Sequence, residues 1–182
     1  MTTVKRQASF TMNISPKELF PLFSAEGEKL WVPGWDYENV MDGVTELHED
    51  YVFLTANHST PAHNDTHAHD HDHHEHYGHH RPDLHSRQHH VMPKTIWLVK
   101  RHDPANFFVQ FYRVEPEDKV GIVTVHCKPI TTDSTEVEVA YEFIGLSEKG
   151  NEFIKGYSAE GYEEFISHWN EALTHYFETK SA

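Results

Sequence analysis

Disulfides, long apolar runs and positive charge are all scarce in this chain of 182 residues. A single cysteine, Cys127, excludes an intramolecular disulfide and agrees with a reducing compartment. No apolar run approaches the length that spans a bilayer as a helix, and the stretch from Met1 to Ser15 lacks an apolar leader core. Lys and Arg number 15 against 29 Asp and Glu, for a formal charge of -14. Affinity for nucleic acid comes from neutralising phosphates, so DNA and RNA are not expected partners, and anionic membrane surfaces are disfavoured for the same reason. Also absent are a glycine-rich phosphate loop, a paired-cysteine motif and a His-Glu-x-x-His helix. These absences together lead us to expect a cytoplasmic protein without membrane insertion.

Histidine, by contrast, is in excess. Of 18 histidines, 13 lie between His58 and Met92, a stretch of 35 residues with only six apolar ones. The remaining 147 residues carry 62 apolar side chains, enough for one packed core. The expected organisation is one domain over 1-182, interrupted by a His-rich, disordered insertion over 58-92 that cannot fold alone. Within it, His63, His67, His69, His71, His73, His74, His76, His79 and His80 alternate with carboxylates. Imidazoles beside carboxylates suit zinc, nickel, cobalt or copper, so a labile divalent metal is an expected partner, though the fold requires no cofactor. A solvated hairpin extension without a selected role is the plainer alternative.

The rest of the chain alternates in two rhythms. From Val4 to Ile14 apolar residues fall at period two, which predicts a half-buried strand. Ser15-Pro16-Lys17-Glu18 then predicts a helix start, with Ser15 as cap and Pro16 at the first helical position. A second short helix is predicted over residues 25–31, broken by Pro33-Gly34. Strands follow at Asp36 to Leu47, Asp50 to Asn57, Lys94 to His102, Asn106 to Val114, Lys119 to Pro129 and Ser134 to Ile144, the first two pairing across His48-Glu49. Short connections between them require antiparallel neighbours. The last element, Ser147 to Thr179, repeats apolar and aromatic residues at three- and four-residue steps and predicts one long amphipathic helix. Gly150, Gly156 and Gly161 weaken its first half, where a bend or frayed start is expected.

The order strand, two short helices, six strands and a long C-terminal helix, with the stretch from Ser15 to Phe23 leading into Gly27-Glu28-Lys29-Leu30-Trp31-Val32-Pro33-Gly34-Trp35, resembles the START-like superfamily of the polyketide cyclase/dehydrase, lipid-transfer and birch-pollen-allergen type (SRPBCC). It covers everything except residues 58–92. The resemblance implies an α+β helix-grip fold: a seven-stranded curved antiparallel sheet wrapped around a long C-terminal helix, with two short helices after the first strand. It also implies an apolar ligand held between sheet and helix. Such folds host carriers, sensors, cyclases and oxygenase subunits, so the fold alone names no chemistry.

Strand alternation points Val137, Val139, Tyr141 and Phe143 one way and Glu136, Glu138 and Glu142 the other, and sends Phe107, Val109 and Phe111 inward. The candidate ligand-binding set is Trp31, Trp35, Phe107, Phe111, Tyr141, Phe143, Tyr157, Phe165, His168 and Trp169. An aromatic cavity with a few polar tips is what a hydrophobic small molecule requires, although the same residues also fill ordinary cores. Cys127 and His126 are strand neighbours on opposite faces and cannot act as nucleophile and base together. His102-Asp103 belongs to a strand-end turn. His168 and His175, seven apart, share one flank of the last helix.

The favoured reading is a non-catalytic protein that binds a hydrophobic small molecule and carries a metal-binding histidine loop. The alternatives are a cyclase/dehydratase-type enzyme on a polyketide-like or aromatic substrate, using pocket histidines and Tyr141 or Tyr157, and a metal buffer or metal-responsive module. Buried titratable groups converging on a cavity would favour the enzyme, a smooth apolar cavity the carrier, and a filled core the metal module.

Overall fold

The computed structural model describes residues 2–56 and 94–181. Strand β1 (Thr3–Met12) leads into α1 (Pro16–Leu19), a 3-10 turn (Phe20–Phe23) and α2 (Ala25–Glu28). Strands β2 (Glu38–Asn39), β3 (Val52–Ala56), β4 (Lys94–Asp103), β5 (Phe108–Glu115), β6 (Lys119–Thr131) and β7 (Ser134–Gly145) follow, then helices α3 (Glu148–Gly156) and α4 (Ala159–Ser181). The strands form one antiparallel sheet in the order β1-β7-β6-β5-β4-β3-β2, so the chain's first strand closes against its last. The sheet curves around α4, with register breaks between Val99 and Arg101 and between Pro129 and Thr131 bending individual strands.

Alternation decides which face is core. Val109 and Phe111 of β5, Val123 and Val125 of β6, and Val137, Val139, Tyr141 and Phe143 of β7 are all buried on the concave side, against Ile166 and Leu173 of α4. Cys127 is buried in the same layer, and burial pushes its thiol up to about 12, which fits structural packing and no reactivity. Its neighbour His126 faces the other way, edge-on to Phe108.

Three expectations are corrected by local chemistry. The strand predicted from Asp36 to Leu47 shrinks to Glu38–Asn39, because the Asn39 side chain turns the chain, accepting from the Met41 amide and donating to the Val44 carbonyl, and Gly43 adopts a left-handed φ of 72°. Ser15 does not cap α1 through its side chain. Its hydroxyl donates to Glu18 Oε2 at 3.0 Å, while its carbonyl accepts from the Glu18 and Leu19 amides. The long C-terminal helix is two helices: each begins at a serine whose hydroxyl accepts from an amide three residues on, Ser147 from Gly150 and Ser158 from Gly161, and the chain breaks at Tyr157 between them.

The short helices are placed by one close approach. A Cβ at Gly27 would lie 2.3 Å from the Pro21 carbonyl oxygen and 2.6 Å from Leu22 Cα, so only glycine lets α2 press against the preceding turn. Ser24 fixes the start of α2 by accepting from the Gly27 amide at 3.0 Å. That packing delivers Glu28 and Trp31 to the open side of the sheet. Among the described residues, no helix is long and apolar enough to cross a membrane.

Candidate functional site

Between the concave sheet face, α2 with the loop that follows it, and α4 lies a cavity of about 450 Å³. Its walls are largely aromatic. Trp31 and Trp169 meet edge to face at 5.3 Å, Phe165 lies 5.5 Å from Trp169 and 5.9 Å from Tyr141, and Trp97 sits between Phe111 at 6.0 Å and Trp35 at 6.2 Å. Three of these indoles have satisfied their N–H groups inside the protein: Trp31 donates to the Leu22 carbonyl at 2.8 Å, Trp35 to the Ala25 carbonyl at 2.9 Å and Trp97 to Thr55 Oγ1 at 3.1 Å. Their rings are held rigidly and present only apolar surface.

Of the ten predicted ligand-binding residues, the structure brings seven to this cavity: Trp31, Trp35, Phe111, Tyr141, Phe165, His168 and Trp169. His168 is exposed on α4 at the cavity's edge. The other three lie elsewhere. Phe107 is not on β5 at all. It takes a left-handed conformation, φ 53°, after the 3-10 turn Pro104–Asn106 and packs edge-on against Phe20. Phe143 and Tyr157 do point inward, but they meet each other at 5.1 Å, and Phe143 meets Phe153 at 5.1 Å, filling the far end of the core. His102 stacks on Phe20 at 5.9 Å, outside the cavity, and burial lowers its pKa.

Beyond the predicted set, polar residues also line the cavity, and Glu28 and Arg113 among them carry its ionisable chemistry at the inner wall. Glu28 closes α2, and burial pushes its carboxyl up to about 8, so it is largely protonated at neutral pH. Arg113 occupies an inward position of β5, with its side chain 8 % exposed, and pairs with Glu115 Oε1 at 2.9 Å. The same Glu115 binds the buried Lys119 through its other oxygen. Tyr141 stands in the field of both: burial holds its hydroxyl protonated far above its ordinary range, with Glu28 adding to that shift and Arg113 opposing it. The cavity thus carries an acid, a cation and a phenolic donor among its aromatic walls, with Ser24, Asp36, Thr55 and His168 as further polar lining.

The expectation of bound zinc, nickel, cobalt or copper, and of a divalent metal as partner, is corrected. Among the described residues no group of three or more His, Cys, Asp or Glu side chains is placed to hold a metal ion. The nine histidines named for that role, and the segment 58–92 as a whole, lie outside the described residues. The described site is organised around aromatic surface, with no cluster of ligating atoms.

Comparison with known proteins decides the architecture. Norcoclaurine synthase from Thalictrum flavum, solved as a point mutant with a transition-state analogue, superposes with a TM-score of 0.58 at 12% identity, over 98% of this chain and 97% of that one. The chain has the helix-grip fold of these solved structures. Ara h 8.0201, an allergen, matches with a TM-score of 0.53 at 10% identity, covering 95% of this chain and 99% of its own. The two-domain aromatase/cyclase BexL matches at 0.56 and 10% identity, over 94% of this chain and 46% of its length. No family profile and no curated protein sequence matches the chain. At these identities the likeness establishes the helix-grip fold, and the chemistry must come from the cavity itself.

Proposed function

We propose that this helix-grip protein binds a hydrophobic, ring-bearing small molecule in the cavity between the sheet and α4. The observation that carries the reading is the set of indole rings whose N–H groups are tied to the protein's own carbonyls and hydroxyl, leaving rigid apolar faces around a cavity of about 450 Å³. A volume in this range suits a drug-sized molecule, and aromatic walls favour a flat ring system over a flexible chain. Native mass spectrometry of the protein purified from its own host tests it: a small molecule retained at unit stoichiometry is expected, and protein that is bare under every gentle condition argues against the reading.

A second reading, a cyclase/dehydratase-type enzyme, is favoured by one specific observation. Glu28, protonated near neutrality, and Tyr141, held protonated, face the same cavity. A carboxylic acid with a pKa near the operating pH is suited to give and take a proton, and a phenol beside it can hold a carbonyl oxygen. Support comes from the names of two proteins of this architecture, norcoclaurine synthase, a synthase, and BexL, an aromatase/cyclase. Incubating the extracted ligand with the protein distinguishes the readings. Loss of one water from the ligand, or a chromatographic shift at unchanged mass, abolished in Glu28→Gln supports the enzyme, whereas a ligand recovered with mass and retention unchanged supports the carrier.

A further inference from the structure

Arg113 is costlier than a core needs. Inward strand positions are normally apolar, yet β5 runs Val109, Phe111, Arg113, Glu115 along its buried face. A buried guanidinium is retained where its charge and its donors are answered. Here they are answered only in part. Nη2 meets Glu115 Oε1 at 2.9 Å, but Nη1 is buried without a hydrogen-bond partner among the described residues. Among the described residues Glu115 is the only carboxylate paired with Arg113, and it is shared with Lys119, whose side chain is 7 % exposed. Asp118 approaches Lys119 at 3.4 Å and is drawn equally toward the exposed Lys149 at 3.2 Å. Glu115 therefore divides its two oxygens between two buried cations, and Arg113, with one carboxylate oxygen for its several donors, keeps an unmet donor on the cavity wall. The rings of Trp97 and Phe143 flank the guanidinium, 5.7 and 5.9 Å from its Cζ.

We infer that Arg113 is the anion anchor of the cavity, and that the ligand is a ring-bearing apolar molecule with one carboxylate, which enters acid first and takes up the Nη1 donor. This rests on the cavity being a ligand site. Because Nη1 is covered when the cavity is empty, capture proceeds by a tilt of the guanidinium about its Glu115 bond. A carboxylate is the fitting partner because guanidinium presents parallel donors and because a charge-assisted bond in a low-dielectric site is stronger than one to a neutral carbonyl. The other polar groups of the inner wall do not oppose an anion at neutral pH. Tyr141 offers a second donor, and Glu28 is largely uncharged. The carboxylate of Asp36 is exposed and belongs to the loop after α2.

The test uses the full chain, with neutral N-phenyl-1-naphthylamine as fluorescent reporter and two competitors of equal shape, 2-naphthoic acid and 2-naphthamide. At neutral pH the acid is expected to displace the reporter about tenfold more effectively than the amide. In Arg113→Met the ratio of acid to amide competition should fall to about one, whatever the reporter's own affinity, and Arg113→Lys should restore part of it. Equal competition by acid and amide in the wild type overturns the anchor even if no Arg113 variant folds, and so does a preference that survives in Arg113→Met. A reporter that never binds the wild type refutes the cavity reading itself, and the anchor with it, so the two failures are distinct.

Discussion

The cavity lining holds two unlike sets of groups, which interleave: the Arg113 guanidinium lies 5.7 Å from the Trp97 ring. Trp31, Trp35 and Trp97 have each given their single polar atom to the protein, and none of these rings asks for a partner. Arg113 keeps a donor with no acceptor among the described residues, Glu28 holds a proton it would lose in water, and Tyr141 is held protonated beside them. The satisfied rings are scaffold, shaping a space and excluding water. The polar groups are where a ligand can improve on the protein alone, because a buried polar group without a partner is a standing cost that only a complementary group removes.

The largest effect is expected at the carboxylate that holds the polar set together. Glu115→Ala leaves Arg113 and Lys119 buried without their shared partner and should cost about 4 kcal/mol in urea unfolding. A loss no larger than that of an exposed pair such as Lys155 and Glu152 would show that water already reaches this cluster. Among the rings, Trp31→Ala removes a 6 % exposed ring and its bond to Leu22, and about 3 kcal/mol should be lost together with reporter binding.

Glu28 gives the comparison a pH axis. Its carboxyl titrates at about 8 in the folded chain and near its ordinary value once unfolded, so the native state holds a proton that the unfolded state releases. Stability should therefore fall as pH rises from about 4.5 to 8 and be level outside that window as far as this group is concerned. Glu28→Gln should flatten that slope and raise stability at pH 8 by about 2 kcal/mol, part of the full linkage being lost because the residue is not wholly buried. An identical pH profile in the variant would place the carboxyl in water. The smallest effect belongs to Phe107→Ala, which trims the packing on Phe20 and should leave reporter affinity within about twofold. A larger loss of binding would extend the cavity beyond the walls described.

Alternation made most of the sheet legible in the sequence. Val137, Val139, Tyr141 and Phe143 face the core as their spacing requires, and the strand limits of β4, β6 and β7 fall within two residues of those expected. The same alternation, followed two steps past Phe111, reaches Arg113 and Glu115. They were passed over because charge at an inward position contradicts a purely apolar pattern, and that contradiction was itself the signal. Glu28 was not legible, because a single helical turn has no periodicity and its face is set by Gly27 pressing on Pro21. The strand expected from Asn106 starts two residues later and leaves Phe107 outside it: the 3-10 turn after Asp103, whose side chain accepts from the Asn106 amide, delays the strand until Phe108. The division of the C-terminal helix was foreshadowed by its glycines, but the break itself is written in Ser158, which caps the second helix.

The central claim, that the space between sheet and α4 is a ligand site, is tested most directly by titrating N-phenyl-1-naphthylamine into the wild-type protein and into Ala172→Trp, which fills the cavity from the helix side. Saturable, blue-shifted fluorescence at one probe per chain is predicted for the wild type, with binding lost in the variant while its circular dichroism and unfolding midpoint stay native. Absence of saturable binding in the wild type, or equal binding by both proteins, would contradict it.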